Sequence, residues 1–271
     1  MTDVRDKKVL ITGAASGIGK LLADRLGAQG AELILWDINE QGLTAVKEEF
    51  EGRGMRTAVY TCDLNDRQAI ADTAARVLED HDHIDVLVNN AGVVTGKDLE
   101  AASDEQILLT FNVNTLAPVW LTRAFLPGMK KRNSGHIVTI ASAAGIVGTA
   151  RLVDYCASKF GAVGFNEALR LELHRNELDI KTTVVCPFYI STGMFEGVKT
   201  RFPLILPILK PDYVADLIAR AIRGNRPRVV TPRFVMIAYL GRLLPVWLFD
   251  RLMDFFGVSK SMDEFTGRSG H

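Results

Sequence analysis

Short apolar runs alternate with longer amphipathic stretches along most of this chain. Seven runs rich in Val, Ile and Leu have the length of strands: Val9–Thr12, Glu32–Trp36, Thr57–Cys62, Val86–Asn89, His136–Ile140, Lys181–Cys186 and Arg228–Thr231. Such continuous apolar runs are typical of parallel strands covered on both faces. Helix-length stretches separate them, at Gly17–Gln29, Glu40–Gly52, Arg67–Glu79, Ser103–Arg132, Leu152–Asn176 and Pro211–Arg223.

This alternation predicts a single α/β domain, because successive right-handed strand–helix–strand units build an open, doubly wound sheet. We expect a Rossmann-type, mostly parallel seven-stranded sheet with helices on both faces. Residues 1–232 are predicted to form this domain, with a substrate lid at 188–210. Residues 233–271 depart from the alternation and are interpreted as an apolar, amphipathic C-terminal extension that is not an independent domain.

Charge and cysteine content exclude several classes of protein. The 271 residues carry 32 Lys plus Arg and 32 Asp plus Glu, so there is no basic excess for nucleic-acid binding. Cys62, Cys156 and Cys186 form no C-x-x-C pair, which favours a reducing, cytoplasmic compartment over a disulfide framework or a zinc cluster. His81 and His83 lack further ligands nearby, so no metal site is predicted. The polar residues 1–8 predict no secretory signal, and no transmembrane helix is expected, because no uncharged apolar run reaches ~18 residues.

A glycine-rich turn follows the first predicted strand, at Thr12–Gly19. Positions without a Cβ allow a pyrophosphate to approach the backbone, and the free N–H groups of the next helix face its phosphates. The turn stands in the first strand–helix–strand unit, which is the context that this motif requires. We therefore predict a dinucleotide site formed by Gly13, Ser16, Gly17, Ile18 and Gly19.

Asp37 ends the second predicted strand, 18 residues beyond Gly19. A ribose-binding acid is expected ~20 residues after the glycines. Its carboxylate would repel a 2′-phosphate by about 4 kcal/mol for each pair of unit charges ~4 Å apart. NAD is therefore predicted over NADP. The alternative is that Asp37 only caps the helix after it.

Two further strand ends supply candidate cofactor residues. Asp63 and Leu64 follow the third strand, where Asp63 would either meet the adenine or cap the next helix. Asn90, Ala91 and Gly92 follow the fourth strand. Their small size would let the backbone approach the cofactor, and a plain asparagine turn is the alternative.

Tyr155 and Lys159 are four positions apart in a helical stretch, so both project from one helix face. An ammonium ~5 Å from the phenolate would stabilise it by about 3 kcal/mol and lower its pKa by roughly two units. Ser142 ends the fifth strand, at the edge of the sheet where ligands bind, and can donate to a substrate oxygen. Asn114 lies inside a long helical pattern although Asn is only a modest helix former, and it could hold a water that relays protons from Lys159.

Taken together, these residues resemble the short-chain dehydrogenase/reductase family. The matching features are the T-G-x-x-x-G-x-G turn and the set Asn89–Gly92, Asn114, Ser142, Tyr155 and Lys159. The resemblance implies that Tyr155 donates or accepts the proton and that Lys159 lowers its pKa and holds the nicotinamide ribose. It further implies that Ser142 orients the substrate and that Asn114 anchors the relay water. Homodimers or homotetramers joined through the long helices are also implied.

After the sixth strand the family usually shows P-G-x-x-x-T, and here Phe188 replaces the glycine. Ile190 and Thr192 still match the positions that meet the carboxamide of the cofactor, and the resemblance implies that Pro187 also binds the cofactor. With this phenylalanine, the sequence resembles the branch of the family that includes retinol dehydrogenases and lipid-droplet 17β-hydroxysteroid dehydrogenases. That branch usually begins with a hydrophobic membrane anchor, which this sequence lacks, so N-terminal membrane attachment is not expected.

Apolar residues dominate the predicted lid and the extension. Phe188, Tyr189 and residues 202–209 would favour a lipophilic substrate, or they pack into the core or a subunit interface. Residues 245–256 would lie in a membrane interface, cover the substrate entrance or contact another subunit. Asp250 and Asp254 favour a protein-buried position over an anionic lipid surface.

The sequence thus predicts an NAD-dependent oxidoreductase that interconverts a lipophilic alcohol of steroid, retinoid or long-chain type and its carbonyl. Two alternatives use the same fold without this chemistry. One is a non-catalytic dinucleotide-binding regulator, and the other is a membrane-surface scaffold that works through the extension.

Overall fold

The computed structural model describes residues 1–267, which contain one parallel sheet of seven strands. In chain order these are β1 Lys8–Thr12, β2 Glu32–Asp37, β3 Thr57–Thr61, β4 Val86–Asn89, β5 Gly135–Ile140, β6 Ile180–Pro187 and β7 Arg228–Thr231. The spatial order is β3-β2-β1-β4-β5-β6-β7. Connections run outward in opposite directions from β1 and β4, which opens a crevice at their carboxyl ends. The predicted doubly wound fold is confirmed.

Helices cover both faces of the sheet. They are α1 Gly17–Gly27, α2 Glu40–Glu51, α3 Arg67–His81, α4 Asp104–Phe111, α5 Ala117–Arg132, α6 Val153–Arg175 and α7 Pro211–Arg223. α1, α2 and α7 bury their apolar residues against one face, and α3, α5 and α6 against the other. Alternate strand residues supply the two cores, as Val9 and Leu10 of β1 do, because successive side chains point to opposite faces.

The single helix predicted over residues 103–132 is wrong in one respect. A π-helical turn at Asn112–Leu116 separates α4 from α5. The amide of Asn114, within that turn, bonds to both backbone polar groups of Val93 at 2.9 Å. These two hydrogen bonds join residues that are far apart in sequence, so they do not change the spacing of apolar residues along the helix. The apolar pattern therefore could not predict the π-helical turn.

Residues 233–267 pack across the carboxyl edge of the sheet. They contain a 3-10 turn at Arg233–Met236, then α8 Ile237–Gly241 and α9 Val246–Phe255. No residue of α8 or α9 is fully buried. Among residues 1–267, no helix combines the length and the apolar character needed to cross a bilayer.

Candidate active site

The glycine turn is held against the end of β4 by a compact hydrogen-bond network. The Asn90 side chain donates to the backbone oxygens of Thr12 at 2.8 Å and Gly13 at 3.2 Å. The Thr12 hydroxyl accepts the N–H groups of Asn90 and Ala91 at 3.0 and 3.1 Å. A Cβ on Gly19 would overlap the oxygen of Gly13. Asn90, Ala91 and Thr12 therefore hold the turn in place together. This role of Thr12 was not predicted from the sequence.

The start of α1 suits an anionic ligand. Gly17 has a left-handed φ of +55°, and a Cβ there would face the Thr192 side chain at 3.8 Å across the crevice. Within residues 1–267, Ser16 precedes α1 without forming a side-chain cap. The first N–H groups of α1, at Gly17, Ile18 and Gly19, therefore lie at the crevice with the positive end of the helix dipole. This arrangement fits the pyrophosphate of a dinucleotide.

Asp37 lies beside the same turn. Its carboxylate accepts hydrogen bonds from the N–H groups of Ala15 at 2.9 Å and Asn39 at 3.0 Å. The helix-cap alternative for Asp37 is wrong, because Asn39 caps α2 by accepting from Gly42 N–H. Asp37 thus places a negative charge next to the dinucleotide crevice.

Asp63 is exposed at the end of β3 and accepts the Asn65 N–H at 2.8 Å. Asp66 caps α3, because its side chain accepts hydrogen bonds from backbone N–H groups in the first turn of that helix. The alternative that Asp63 is the cap is therefore wrong as well. Leu64 is buried beneath it. The carboxylate of Asp63 remains a candidate for contact with an adenine.

Tyr155 and Lys159 lie buried on one face of α6. The Lys159 Nζ lies 5.7 Å from the centre of the Tyr155 ring and donates to the Ile140 carbonyl at 3.0 Å. Burial lowers the pKa of Lys159 to about 8 and raises the pKa of Tyr155 above its usual value. The expected lowering of the Tyr155 pKa by Lys159 is therefore wrong for the protein by itself, because the loss of hydration dominates.

Ser142 reaches the same site from the end of β5. Its oxygen accepts the Ala144 N–H at 3.1 Å, which leaves the O–H as a donor. A hydrogen bond between the Ser142 and Tyr155 side chains acts against burial and lowers the Tyr155 pKa. The structure thus brings Ser142, Tyr155 and Lys159 together.

Asn114 supports this group from behind. Its Nδ2 donates to the Ser158 hydroxyl at 3.0 Å, and that hydroxyl donates to the Tyr155 carbonyl at 2.8 Å. A Cβ on Gly92 would lie 3.2 Å from Asn114 Oδ1 and 3.4 Å from Lys159 Nζ, so Gly92 packs closely against both side chains. Ser158 is a positioning residue that the sequence pattern gave no means to detect.

The residues after β6 close the other side of the crevice. Pro187 is buried at the end of β6, and Ile190 forms a bridge with Leu209. Thr192 lies opposite Gly17. The segment continues to Phe195, whose ring meets that of Tyr155 edge-on at 5.7 Å. The predicted lid residues therefore contact both the crevice and Tyr155.

A cavity of about 860 Å³, including its open mouth, begins at Ser142 and Tyr155. Residues from the lid and from the segment 234–258 form most of its wall, among them Phe188, Leu206 and Met253. The polar residues of this lining are Ser142, Thr149, Tyr155 and Tyr189, and none of its residues carries a charged side chain.

Residues 259–267, here called the C-terminal strap, pack beside the cavity. Met262 is completely buried in a cluster that includes Tyr155 and Cys156. A Cβ on Gly96 would overlap the ring of Phe265. No local sequence pattern marks the strap, because its contacts are with residues that are far away along the chain.

Comparisons with known proteins agree with this geometry. The family model described as short chain dehydrogenase matches residues 7–201. Short-chain dehydrogenase/reductase family 16C member 6 of Bos taurus is 42% identical over 98% of this chain and 85% of that protein. Epidermal retinol dehydrogenase 2 of Mus musculus is 40% identical over 98% of this chain and 87% of that protein.

Solved structures give the same result. A short-chain dehydrogenase/reductase from Burkholderia phymatum in complex with NAD is 26% identical, has a TM-score of 0.81, and matches over 90% of this chain and 95% of its own. A metagenomic short-chain oxidoreductase in complex with NADP is 31% identical, with a TM-score of 0.70 over 84% of this chain and 96% of its own. The chain therefore belongs to the short-chain dehydrogenase/reductase family of oxidoreductases, in the branch that includes the retinol dehydrogenases.

Proposed function

We propose that this protein is an NAD-dependent dehydrogenase that interconverts a lipophilic alcohol and its carbonyl, with Tyr155 as the general acid–base. One observation carries the proposal. Ser142 and Tyr155 place two hydroxyls at the end of a cavity whose lining residues carry no charge, next to a crevice suited to a dinucleotide.

The chain's own residues manage the proton. Ser142 donates a hydrogen bond to the substrate oxygen, and Tyr155 takes or gives the proton on that oxygen. An ammonium has three donors, and one of those on Lys159 bonds to Ile140, so others can hold a ribose. A bound nicotinamide dinucleotide supplies the hydride carrier and, when oxidised, a positive charge that favours the tyrosinate.

The preference for NAD rests on Asp37. Its carboxylate lies at the glycine turn, where it can accept from ribose hydroxyls and would repel a 2′-phosphate. The turn itself, Asp63 and Leu64, the Asn90–Gly92 segment, and Pro187, Ile190 and Thr192 are proposed as the remaining cofactor-binding residues.

The substrate class follows from the cavity wall. Aromatic and aliphatic side chains dominate it, so affinity would come from buried apolar area at ~25 cal/mol per Å². The proposed class covers steroid, retinoid and long-chain alcohols, and the names of the retinol dehydrogenase relatives agree with the retinoid among them. Few polar groups of the lining lie away from the reacting oxygen, which disfavours sugars and hydroxy acids.

We also propose that the protein forms a homodimer or homotetramer through α4, α5 and α6. Leu108 and Leu109 of α4 and Leu171 of α6 are exposed to solvent, although they are large and apolar. α4 packs against α6, so these residues extend one helical face that a second copy could cover.

The test is turnover of a panel of lipophilic alcohols with NAD, followed by NADH absorbance and paired with small polar alcohols. Tyr155→Phe should lower kcat by about a thousandfold while the Kd for NAD stays unchanged, because the ring is kept and only the proton donor is lost. Retained turnover in Tyr155→Phe, or turnover restricted to polar alcohols, would refute the proposal.

A further inference from the structure

An apolar tip is formed by α8, the turn after it and the start of α9, next to residues that line the cavity. Residues 236–247 form this tip, and their only charged side chain is Arg242. Leu243 is 83% exposed and Val246 is 76% exposed. Its other exposed large apolar residues are Met236, Ile237, Leu240, Leu244 and Trp247. Contiguous apolar area of this kind in water marks an interaction surface.

The lid extends the same surface. Leu204 is completely exposed, and Ile205 and Ile208 are partly so. The Phe202 ring of the lid packs against Phe255 of α9, with ring centres 5.4 Å apart. Two segments that are distant along the chain therefore build one apolar face.

This face is the outer side of the cavity wall. Ile237 is half exposed and also lines the cavity, and Leu252 of α9 lines it as well. The opposite side of the same two helices presents Leu240 and Trp247 to solvent. A partner bound to the tip would thus be separated from the cavity only by α8 and α9.

Four exposed arginines belong to the segments that form the face or adjoin it: Arg201, Arg233, Arg242 and Arg251. Three of them stack on aromatic rings, for example Arg251 on Trp247 at 5.5 Å. Within residues 1–267, none of the four pairs with a carboxylate, although the whole chain has a net charge of zero.

This distribution of charge selects the partner. Guanidinium groups at the rim of an apolar face complement anionic lipid headgroups. A second copy of the same face would bring arginine against arginine, which is unfavourable. Asp250 and Asp254 lie beyond the tip, and Asp254 accepts a hydrogen bond from Ser259 of the strap.

We propose that the tip and the lid dock onto an anionic bilayer surface, with their apolar side chains among the acyl chains and the arginines at the phosphates. A lipophilic substrate then passes from the bilayer into the cavity beside Ile237. The passage of substrate rests on the proposed function, whereas the docking does not. This proposal takes the membrane alternative for the extension in place of the protein-buried position that Asp250 and Asp254 favoured.

The experiment is flotation of the full-length protein with vesicles of phosphatidylcholine, with and without phosphatidylserine. The protein should float mainly with the anionic vesicles. Leu243→Glu and Trp247→Glu should each lower the bound fraction by about tenfold, since an inserted apolar group becomes a charge. Leu99→Glu changes a comparably exposed leucine elsewhere and should bind as the unchanged protein does.

The arginines are tested separately. Arg242→Gln with Arg251→Gln should weaken binding to anionic vesicles several-fold and reduce its dependence on salt, while Arg175→Gln should not. Vesicle binding that is absent, or that the tip and arginine changes leave intact, overturns the proposal. Tip variants that convert an oligomer into monomers, in a protein that never floats, would assign the face to self-association and overturn it too.

A second measurement separates this proposal from the proposed function. The tip variants should retain the kcat of the unchanged protein for alcohols dissolved in detergent and should lose turnover only of alcohols presented in vesicles. A protein that floats as expected and turns over no alcohol would contradict the proposed function and leave the docking intact.

Discussion

The hydroxyl of Tyr189 lies 2.9 Å from the hydroxyl of Ser261 and ties the lid to the C-terminal strap. Ser261 donates its own proton to the Val258 carbonyl at 2.8 Å, so Tyr189 is the donor of the bond between them. Tyr189 lines the cavity, and burial raises its pKa to about 12. The strap therefore holds one wall of the substrate cavity through a buried neutral hydrogen bond.

Ser261→Ala should destabilise the protein by about 1–3 kcal/mol, because the buried Tyr189 hydroxyl loses its acceptor. Urea unfolding of Ser261→Ala, Tyr189→Phe and the double variant should give a coupling of about 1 kcal/mol. kcat/KM for a lipophilic alcohol should fall several-fold with the Kd for NAD unchanged.

Tyr213→Phe is the matched control for that cycle. Tyr213 is 47% exposed, and its hydroxyl forms a long hydrogen bond of 3.5 Å with the Thr231 hydroxyl. It should change stability by less than about 0.5 kcal/mol. A coupling energy near zero between positions 189 and 261 would show that the strap does not hold the lid through this bond.

Asp37→Asn should shift the cofactor preference toward NADP. The amide keeps an oxygen for the Ala15 N–H and removes the charge that repels a 2′-phosphate. The Kd for NADP should fall by about tenfold or more, with a smaller rise in the Kd for NAD. Titration calorimetry with both cofactors measures this, and an unchanged ratio of the two constants would contradict the role given to Asp37.

Gly19→Ala should damage both stability and dinucleotide binding. The added Cβ would overlap the Gly13 carbonyl, so the turn must shift, at a cost of about 3 kcal/mol or more. Gly164→Ala is the control, because no atom lies within 4 Å of its Cβ position on α6. That change should be neutral or stabilise the helix by up to about 1 kcal/mol. Equal thermal stability of the two variants would count against this packing argument.

His136 should make the protein sensitive to acid. Burial, with a smaller contribution from Lys181, lowers its pKa to about 4, below the unfolded value near 6.5. Between these two values the unfolded chain binds more protons, so the stabilisation present above pH 6.5 is lost as the pH falls toward 4. At pH 5 the loss from this residue should be about 2 kcal/mol.

Urea unfolding at pH 7 and pH 5 tests this expectation. His136→Gln should lose less stability between the two pH values than the unchanged protein, by about that amount. His174→Gln, at an exposed histidine of α6, should lose as much as the unchanged protein. Identical pH dependence in His136→Gln would show that the buried imidazole does not contribute.

Features that depend on local pattern could be predicted from the amino-acid sequence. Buried parallel strands require continuous apolar runs, and the order of strands and helices follows from their alternation. Ser142, at a strand end, necessarily reaches the carboxyl edge of the sheet, and Tyr155 and Lys159 share a helix face because helical geometry requires it. Those rules were sufficient to predict the fold and to select the residues that the structure brings together.

Features that depend on contacts between distant parts of the chain could be seen only in the folded protein. Asn114 in the π turn contacts Val93, and the strap contacts Tyr189 and Gly96. None of these contacts follows from a repeating pattern in the sequence. The direction of the Tyr155 pKa also required the structure, because burial rather than the spacing to Lys159 sets it. Local spacing fixes which residues are neighbours on one element, whereas hydration and long-range packing are fixed only when all the elements come together.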